Sequence, residues 1–116
     1  MDLDFYWDEA GDPRARGKGR AGTRFAAFLE SDIQGSDAYA REVLEAIERV
    51  AAGELDGWET TGNAHTLSVQ RSGATLVSEY EEEEDGEEPT RLSLAAVRKA
   101  LQGWIEMLGA GGPGAR

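Results

Sequence analysis

The opening residues alternate between apolar and polar side chains, and DLDFYWD places Leu3, Phe5 and Trp7 at every second position. A period of two predicts a β-strand with one buried face. The following segment 9–13 (EAGDP) predicts a turn, because glycine and proline favour turn conformations. We interpret segment 24–30 (RFAAFLE) as the second strand of a long hairpin.

Two later segments have apolar residues at spacings of three and four, which is the period of an amphipathic α-helix. The first helix is predicted between an N-cap at Ser36 and a stop at Gly53, with an apolar stripe of Tyr39, Val43, Ile47 and Val50. The second is predicted between an N-cap at Ser93 and a stop at Gly109, and its apolar face contains Leu94, Val97, Leu101, Trp104, Ile105 and Leu108.

A second hairpin is predicted between the helices, where segments 65–70 (HTLSVQ) and 74–80 (ATLVSEY) are joined by a short turn. Two hairpins and two helices predict a two-layer α+β fold. An antiparallel sheet of about four strands is covered on one face by the two amphipathic helices. We expect residues 1–109 to form a single α+β domain and residues 110–116 to form a flexible Gly-rich tail.

The amino-acid composition limits the cellular compartments in which the chain is expected to occur. Its 116 residues include no cysteine, which excludes disulfides and thiolate metal sites and fits a reducing compartment. The first residues lack the basic and apolar regions of a signal peptide, and no segment has the roughly 20 apolar residues of a membrane span. We therefore expect a cytoplasmic protein without a membrane partner.

Charge is distributed very unevenly along the chain. Eight of the ten residues from Glu79 to Glu88 are acidic, and the rest of the chain carries 15 acidic residues against 12 basic ones. This acidic run therefore accounts for most of the net charge of −11. An opposite bias extends from Arg14 to Arg24, with five basic residues and no acidic one. Such a chain is expected to attract a basic partner and to be repelled by nucleic acid at long range.

Residues with catalytic potential do not form a recognisable motif. His65 is the only histidine, and although Ser68 and Ser72 lie near it in sequence, no nucleophile-elbow motif is present. Segment 11–19 (GDPRARGKG) resembles a phosphate loop but has the wrong glycine spacing and lacks the Ser or Thr that binds magnesium. The acidic segments also lack the order of a calcium loop. We predict a structural role for His65, no catalytic or metal site, no cofactor and no enzymatic activity.

Several segments together resemble the YacL family of small bacterial proteins and the similarly arranged immunity proteins of contact-dependent and related polymorphic toxin systems. The resemblance covers about nine-tenths of the chain and is carried by DLDFYWD, WETTGNAHTL from Trp58 to Leu67, the hairpin that leads into Glu79 and Tyr80, and SLAAVRKALQGW from Ser93 to Trp104. The basic segment RARGKGRAG departs from it. This resemblance implies an immunity-like protein that binds and blocks the nuclease domain of a toxin.

The charge distribution and the family resemblance together predict one main function. The chain is expected to neutralise a basic nuclease toxin domain through an acidic surface formed by Tyr80, Glu81, Glu82, Glu83, Glu84, Asp85, Glu87 and Glu88. A simpler interpretation of the same acidic residues is a solvated surface that prevents association. The alternative function is a nucleic-acid- or ribosome-associated factor that uses the basic stretch from Arg14 to Arg24.

Overall fold

The structure is a computed structural model that describes residues 1–78 and 89–111. This part of the chain contains six β-strands, which are β1 Leu3–Trp7, β2 Pro13–Gly17, β3 Gly57–Thr61, β4 His65–Gln70, β5 Gly73–Ser78 and β6 Thr90–Leu92. It also contains three α-helices and a π-helical turn, which are α1 Gly19–Phe28, the π-helical turn Leu29–Ile33, α2 Asp37–Ala51 and α3 Leu94–Ala110. The predicted α+β class is confirmed.

Helices α2 and α3 begin at the predicted caps. The Ser36 hydroxyl accepts a hydrogen bond from the Tyr39 N–H at 3.1 Å, and the Ser93 hydroxyl accepts one from the Ala96 N–H at 3.0 Å. These bonds satisfy N–H groups that have no partner inside a helix. Helix α3 extends one residue beyond its predicted end, and the remainder of the predicted tail, after Gly111, lies outside the described residues.

The strand predicted over residues 24–30 is wrong, because most of this segment belongs to helix α1. Phe25 and Phe28 are an odd number of residues apart, so a strand would direct them to opposite faces. A helix brings both side chains into the core, where neither is exposed. The partner of β1 is instead β2, which lies within the basic stretch and directs Ala15 inward between two outward-facing arginines.

The strands form two antiparallel sheets, where one sheet containing both hairpins was expected. Strands β1 and β2 form a two-stranded sheet, and the other four strands form a sheet in the order β3-β4-β5-β6. The predicted hairpin is confirmed as β4 and β5, joined by a two-residue turn. The edge strands β3 and β6 were not predicted, because their short segments carry few strongly apolar residues.

One face of the four-stranded sheet packs into the core. Leu67 and Leu76 are paired across β4 and β5, and both are buried. Helix α2 contacts β3 and β4, and helix α3 contacts β5 and α2. Trp104 of α3 is fully buried, and its indole N–H donates to the Gln34 carbonyl oxygen at 2.9 Å. The helices and the sheet therefore bury a common hydrophobic cluster.

Helix α1 packs on strand β2 through two glycines, and this contact generates a prediction. A Cβ atom at Gly17 would overlap the backbone carbonyl group of Gly22. Gly17→Ala is therefore expected to lower the free energy of unfolding by about 1–3 kcal/mol, since backbone must move to admit the methyl group. Urea denaturation monitored by tryptophan fluorescence measures this change.

Gly109→Ala is the matched control for this substitution. No heavy atom lies within 4 Å of a Cβ placed at Gly109, which belongs to helix α3. Alanine is the better helix former, so the control is expected to be neutral or to stabilise by up to about 1 kcal/mol. Equal destabilisation by the two substitutions would show that the α1–β2 contact does not require a glycine.

Candidate functional site

The predicted partner-binding residues lie outside the described part of the chain, and they are Tyr80, Glu81, Glu82, Glu83, Glu84, Asp85, Glu87 and Glu88. The strands on either side of them are described. Strand β5 ends at Ser78, β6 begins at Thr90, and the two strands are paired directly, with Leu76 opposite Thr90. The acidic run therefore connects two neighbouring antiparallel strands of the larger sheet.

The register of the sheet identifies the end at which this connection leaves. Ser78 is paired with His65 across β4 and β5, and His65 follows directly after the β3–β4 turn. The acidic run thus begins at the same end of the sheet as residues 62–64. Strand β5 ends and strand β6 begins at this end of the sheet.

The face of the sheet opposite the core is largely polar, and Val77 of β5 is an exposed apolar residue on it. Along β4 and β5 it contains Thr66, Ser68, Gln70 and Thr75, which alternate with the buried core residues. A shallow cavity of about 760 Å³ lies partly on this face, with Ser68, Gln70 and the edge residue Glu59 in its lining. This surface offers hydroxyl and amide groups for hydrogen bonding.

A buried polar cluster supports the β3–β4 turn from below. The Asp32 side chain is fully buried, and the His65 side chain is 8% exposed. The Asp32 carboxylate accepts hydrogen bonds from the backbone N–H groups of Ala64 and His65, the latter at 3.0 Å. Its Oδ1 atom also lies 3.1 Å from His65 Nδ1 and 2.7 Å from the Ser31 hydroxyl.

Serine, histidine and aspartate side chains also form hydrolytic triads, in which the histidine accepts a proton from the serine. A relay requires the histidine between the hydroxyl and the carboxylate, with each of them at a different ring nitrogen. Here Ser31 and Asp32 both lie at Nδ1 of His65, and the Ser31 hydroxyl is also 2.7 Å from the Ala27 carbonyl oxygen. This geometry supports the predicted structural role of His65.

Asp32 was not among the residues singled out from the sequence. It is 33 positions from His65, and no spacing rule connects the two segments. The available signal was local, since an acidic residue next to the apolar Ile33 is unusual for a buried segment. Pairing it with the only histidine requires knowledge of the fold.

The basic stretch forms most of strand β2 and part of helix α1, and the contacts of Arg14 and Arg16 are with other side chains of the chain. Arg14 lies 3.4 Å from Glu30 Oε2 and 3.9 Å from Asp8 Oδ2. The Arg16 guanidinium lies 4.9 Å from the centre of the Tyr6 ring, which is within the range of a cation–π contact. A nucleic acid would compete with these contacts for both side chains.

Metal sites and membrane-spanning helices are the two other features considered for residues 1–78 and 89–111. No group of three or more histidine, cysteine, aspartate or glutamate side chains in these ranges is arranged to hold a metal ion. None of the helices described there combines the length and the apolar character needed to cross a membrane.

Comparison of the chain with protein-family models, with curated proteins and with solved structures gave no match. The resemblance to the YacL family and to immunity proteins therefore stays a prediction.

The buried cluster generates a second stability prediction. Asp32→Ala is expected to lower the free energy of unfolding by about 3–5 kcal/mol, because it leaves His65 and two backbone N–H groups without their acceptor. Thermal unfolding monitored by circular dichroism, together with urea denaturation, measures the loss.

Asp37→Ala serves as the control, since Asp37 forms an exposed ion pair with Arg41 at 2.9 Å on helix α2. An exposed pair of this kind contributes about 0.5 kcal/mol. Similar losses for the two alanine variants would contradict a supporting role of Asp32 in the β3–β4 turn.

Proposed function

We propose that the chain is an immunity-like protein of the cytoplasm that binds a basic nuclease toxin domain and blocks its nucleic-acid groove. The acidic run from Glu79 to Glu88 provides the electrostatic surface, and Tyr80 provides an aromatic anchor. A nuclease attracts its substrate with a basic groove, and a dense acidic surface competes for the same groove.

The observation that supports this proposal is that the acidic run connects two paired strands of the sheet. Its eight acidic residues join β5 to β6, which are hydrogen-bonded neighbours. Leu76 and Thr90 face each other on these neighbouring strands, so the connection starts and finishes at one end of the sheet. Concentrated charge of one sign accelerates association with a partner of opposite sign.

The arrangement of the other charged residues favours a basic partner over a nucleic acid. In the described part of the chain, Arg14, Arg41, Arg49 and Arg98 each lie within 4.0 Å of a carboxylate. These ion pairs neutralise part of the positive charge on the surface. The outer face of the sheet offers the hydroxyl and amide groups of Thr66, Ser68 and Gln70 beside the charged side chains of Glu59 and Arg91, which suits a polar protein interface.

If the proposal holds, a nuclease toxin domain is encoded beside the gene for this chain, and that domain is the partner used in the test. A stoichiometric amount of the chain is expected to abolish cleavage of nucleic acid by that domain, because it occupies the groove. Full nuclease activity in the presence of excess chain would contradict the proposal, as would a gene neighbourhood without such a toxin.

Two charge variants distinguish the effect of the acidic run on the association rate from the effect of the net charge. Changing Glu81, Glu82, Glu83 and Glu84 to Gln is expected to slow association by about tenfold at low salt and to flatten its salt dependence. Stopped-flow fluorescence over a series of NaCl concentrations measures both quantities.

The matched control changes the same number of charges at exposed positions of the turn and helices, which are Glu9, Glu42, Glu45 and Glu106. This control is expected to associate at close to the rate of the unaltered chain. If both variants slow association equally, net charge alone explains the effect and the acidic run has no special role.

A further inference from the structure

The larger sheet has two edges, and they differ in how the chain covers them. Strand β6 has three residues, and helix α1 lies against it. Strand β3 has five residues, and Gly57, Glu59 and Thr61 are exposed along it. An exposed strand edge presents backbone groups to which another extended chain can bind.

The direction of the backbone groups of β3 follows from its pairing with β4. At the turn, the Gly62 N–H donates to the His65 carbonyl oxygen at 2.9 Å, so these two residues form a hydrogen-bonded pair. Hydrogen-bonded and non-hydrogen-bonded pairs alternate along an antiparallel ladder. Counted along the register from this pair, Thr61, Glu59 and Gly57 direct their N–H and C=O groups away from β4.

Two further contacts agree with this direction. The Oγ1 atoms of Thr61 and Thr66 lie 2.9 Å apart, and facing side chains are closer in non-hydrogen-bonded pairs. On the other side of β4, Gln70 and Gly73 close a two-residue turn, so the Gln70 backbone is directed to β5 and not to β3. Within residues 1–78 and 89–111, no hydrogen-bond partner is found for the outward groups of β3.

The outward backbone groups of strand β2 differ from those of β3 in their partners. Asp8 donates its N–H to the Asp12 carbonyl oxygen, and the same alternation directs the Ala15 N–H away from β1. Glu30 Oε2 accepts that N–H at 2.7 Å, and Pro13, also on the outer side, has no N–H. The fold thus satisfies the outward donors at the centre of β2, whereas the described part of the chain leaves those of β3 available.

We propose that strand β3 binds an extended segment of the basic partner, which adds to the sheet as a fifth strand. Glu59 lies at the centre of the edge with its side chain on the polar face, so it favours a lysine or arginine at the facing position. Asp56 adds a second exposed carboxylate at the start of the strand. Trp58 and Thr60, half-buried on the core side, favour apolar side chains at the alternate positions.

Charge selects a basic partner over a second copy of this chain. Two copies with a net charge of −11 repel each other. A symmetric antiparallel pair that used all three outward residues would also place Glu59 opposite Glu59, and like charges in facing positions destabilise a sheet. The basic character of the segment rests on the proposed function, while the open edge rests on the geometry of β3 alone.

Amide hydrogen exchange measured by NMR on the full chain tests this inference. The probe is a short end-blocked peptide of alternating lysine and valine, and its counterpart contains glutamate in place of lysine. The amides of Gly57, Glu59 and Thr61 are expected to exchange rapidly in the free chain and to slow by at least about tenfold with the lysine peptide. Slow exchange in the free chain, or no slowing with this peptide, would overturn the proposal.

Two substitutions at Glu59 locate the binding site. Glu59→Pro removes the outward N–H without removing a bond to β4, and is expected to abolish the slowing at Gly57 and Thr61. Glu59→Lys keeps the backbone intact and is expected to reverse the preference, so that the glutamate peptide protects β3. If Glu59→Pro does not fold, Glu59→Lys decides the question, and an unchanged preference for lysine would count against the edge.

Failure of this inference can be distinguished from failure of the proposed function. If the peptide protects β3 but the chain does not inhibit the toxin domain, the edge is supported and the proposed function is rejected. If the toxin domain is inhibited and neither it nor the peptide protects the amides of β3, the edge is rejected and the proposed function is retained.

Discussion

The hydrogen bonds of the Asp32 carboxylate hold together parts of the chain that are distant in sequence. This side chain belongs to the π-helical turn, and it accepts the backbone N–H groups of Ala64 and His65 in the β3–β4 turn. The contact is so close that a Cβ at Gly62 would overlap the carboxylate. Two residues later, the Gln34 carbonyl oxygen accepts the indole N–H of Trp104. The turn, the sheet and helix α3 are thereby fixed relative to one another.

The β3–β4 turn that Asp32 supports lies close to two features on which the proposals rest. The β3–β4 turn lies at the end of the sheet from which the acidic run leaves after Ser78, and β3 extends from that turn along the open edge. Buried ionisable groups are thus used for positioning, whereas the proposed function depends on the exposed ones. A long-range electrostatic surface and a short-range hydrogen-bonding edge have different roles, because charge raises the rate of encounter and backbone bonds slow dissociation.

Sequence patterns predicted the elements that are long and strongly periodic. Local signals identify these elements. Helices α2 and α3 have N-caps and apolar stripes, and the β4–β5 hairpin has a short turn. The segment of helix α1 is rich in apolar residues like a short strand, and the odd spacing of Phe25 and Phe28 is the feature that distinguishes the two. Strand β3 lacks a strongly apolar pattern because its inward positions include Thr60. Local patterns could not pair Asp32 with His65, because the two residues are 33 positions apart and meet only in the folded chain. The acidic run was identified by composition alone.

The connection between β5 and β6 also allows this protein to diverge without loss of its fold. The pairs from Ala74↔Leu92 to Leu76↔Thr90 fix both strands, so residues between them can be exchanged or inserted with little effect on the core. Doubling the length of a flexible loop costs only about 0.6 kcal/mol of closure free energy. Sequence changes in this connection are therefore expected to leave the paired strands intact, and an engineered segment can be inserted at the same place.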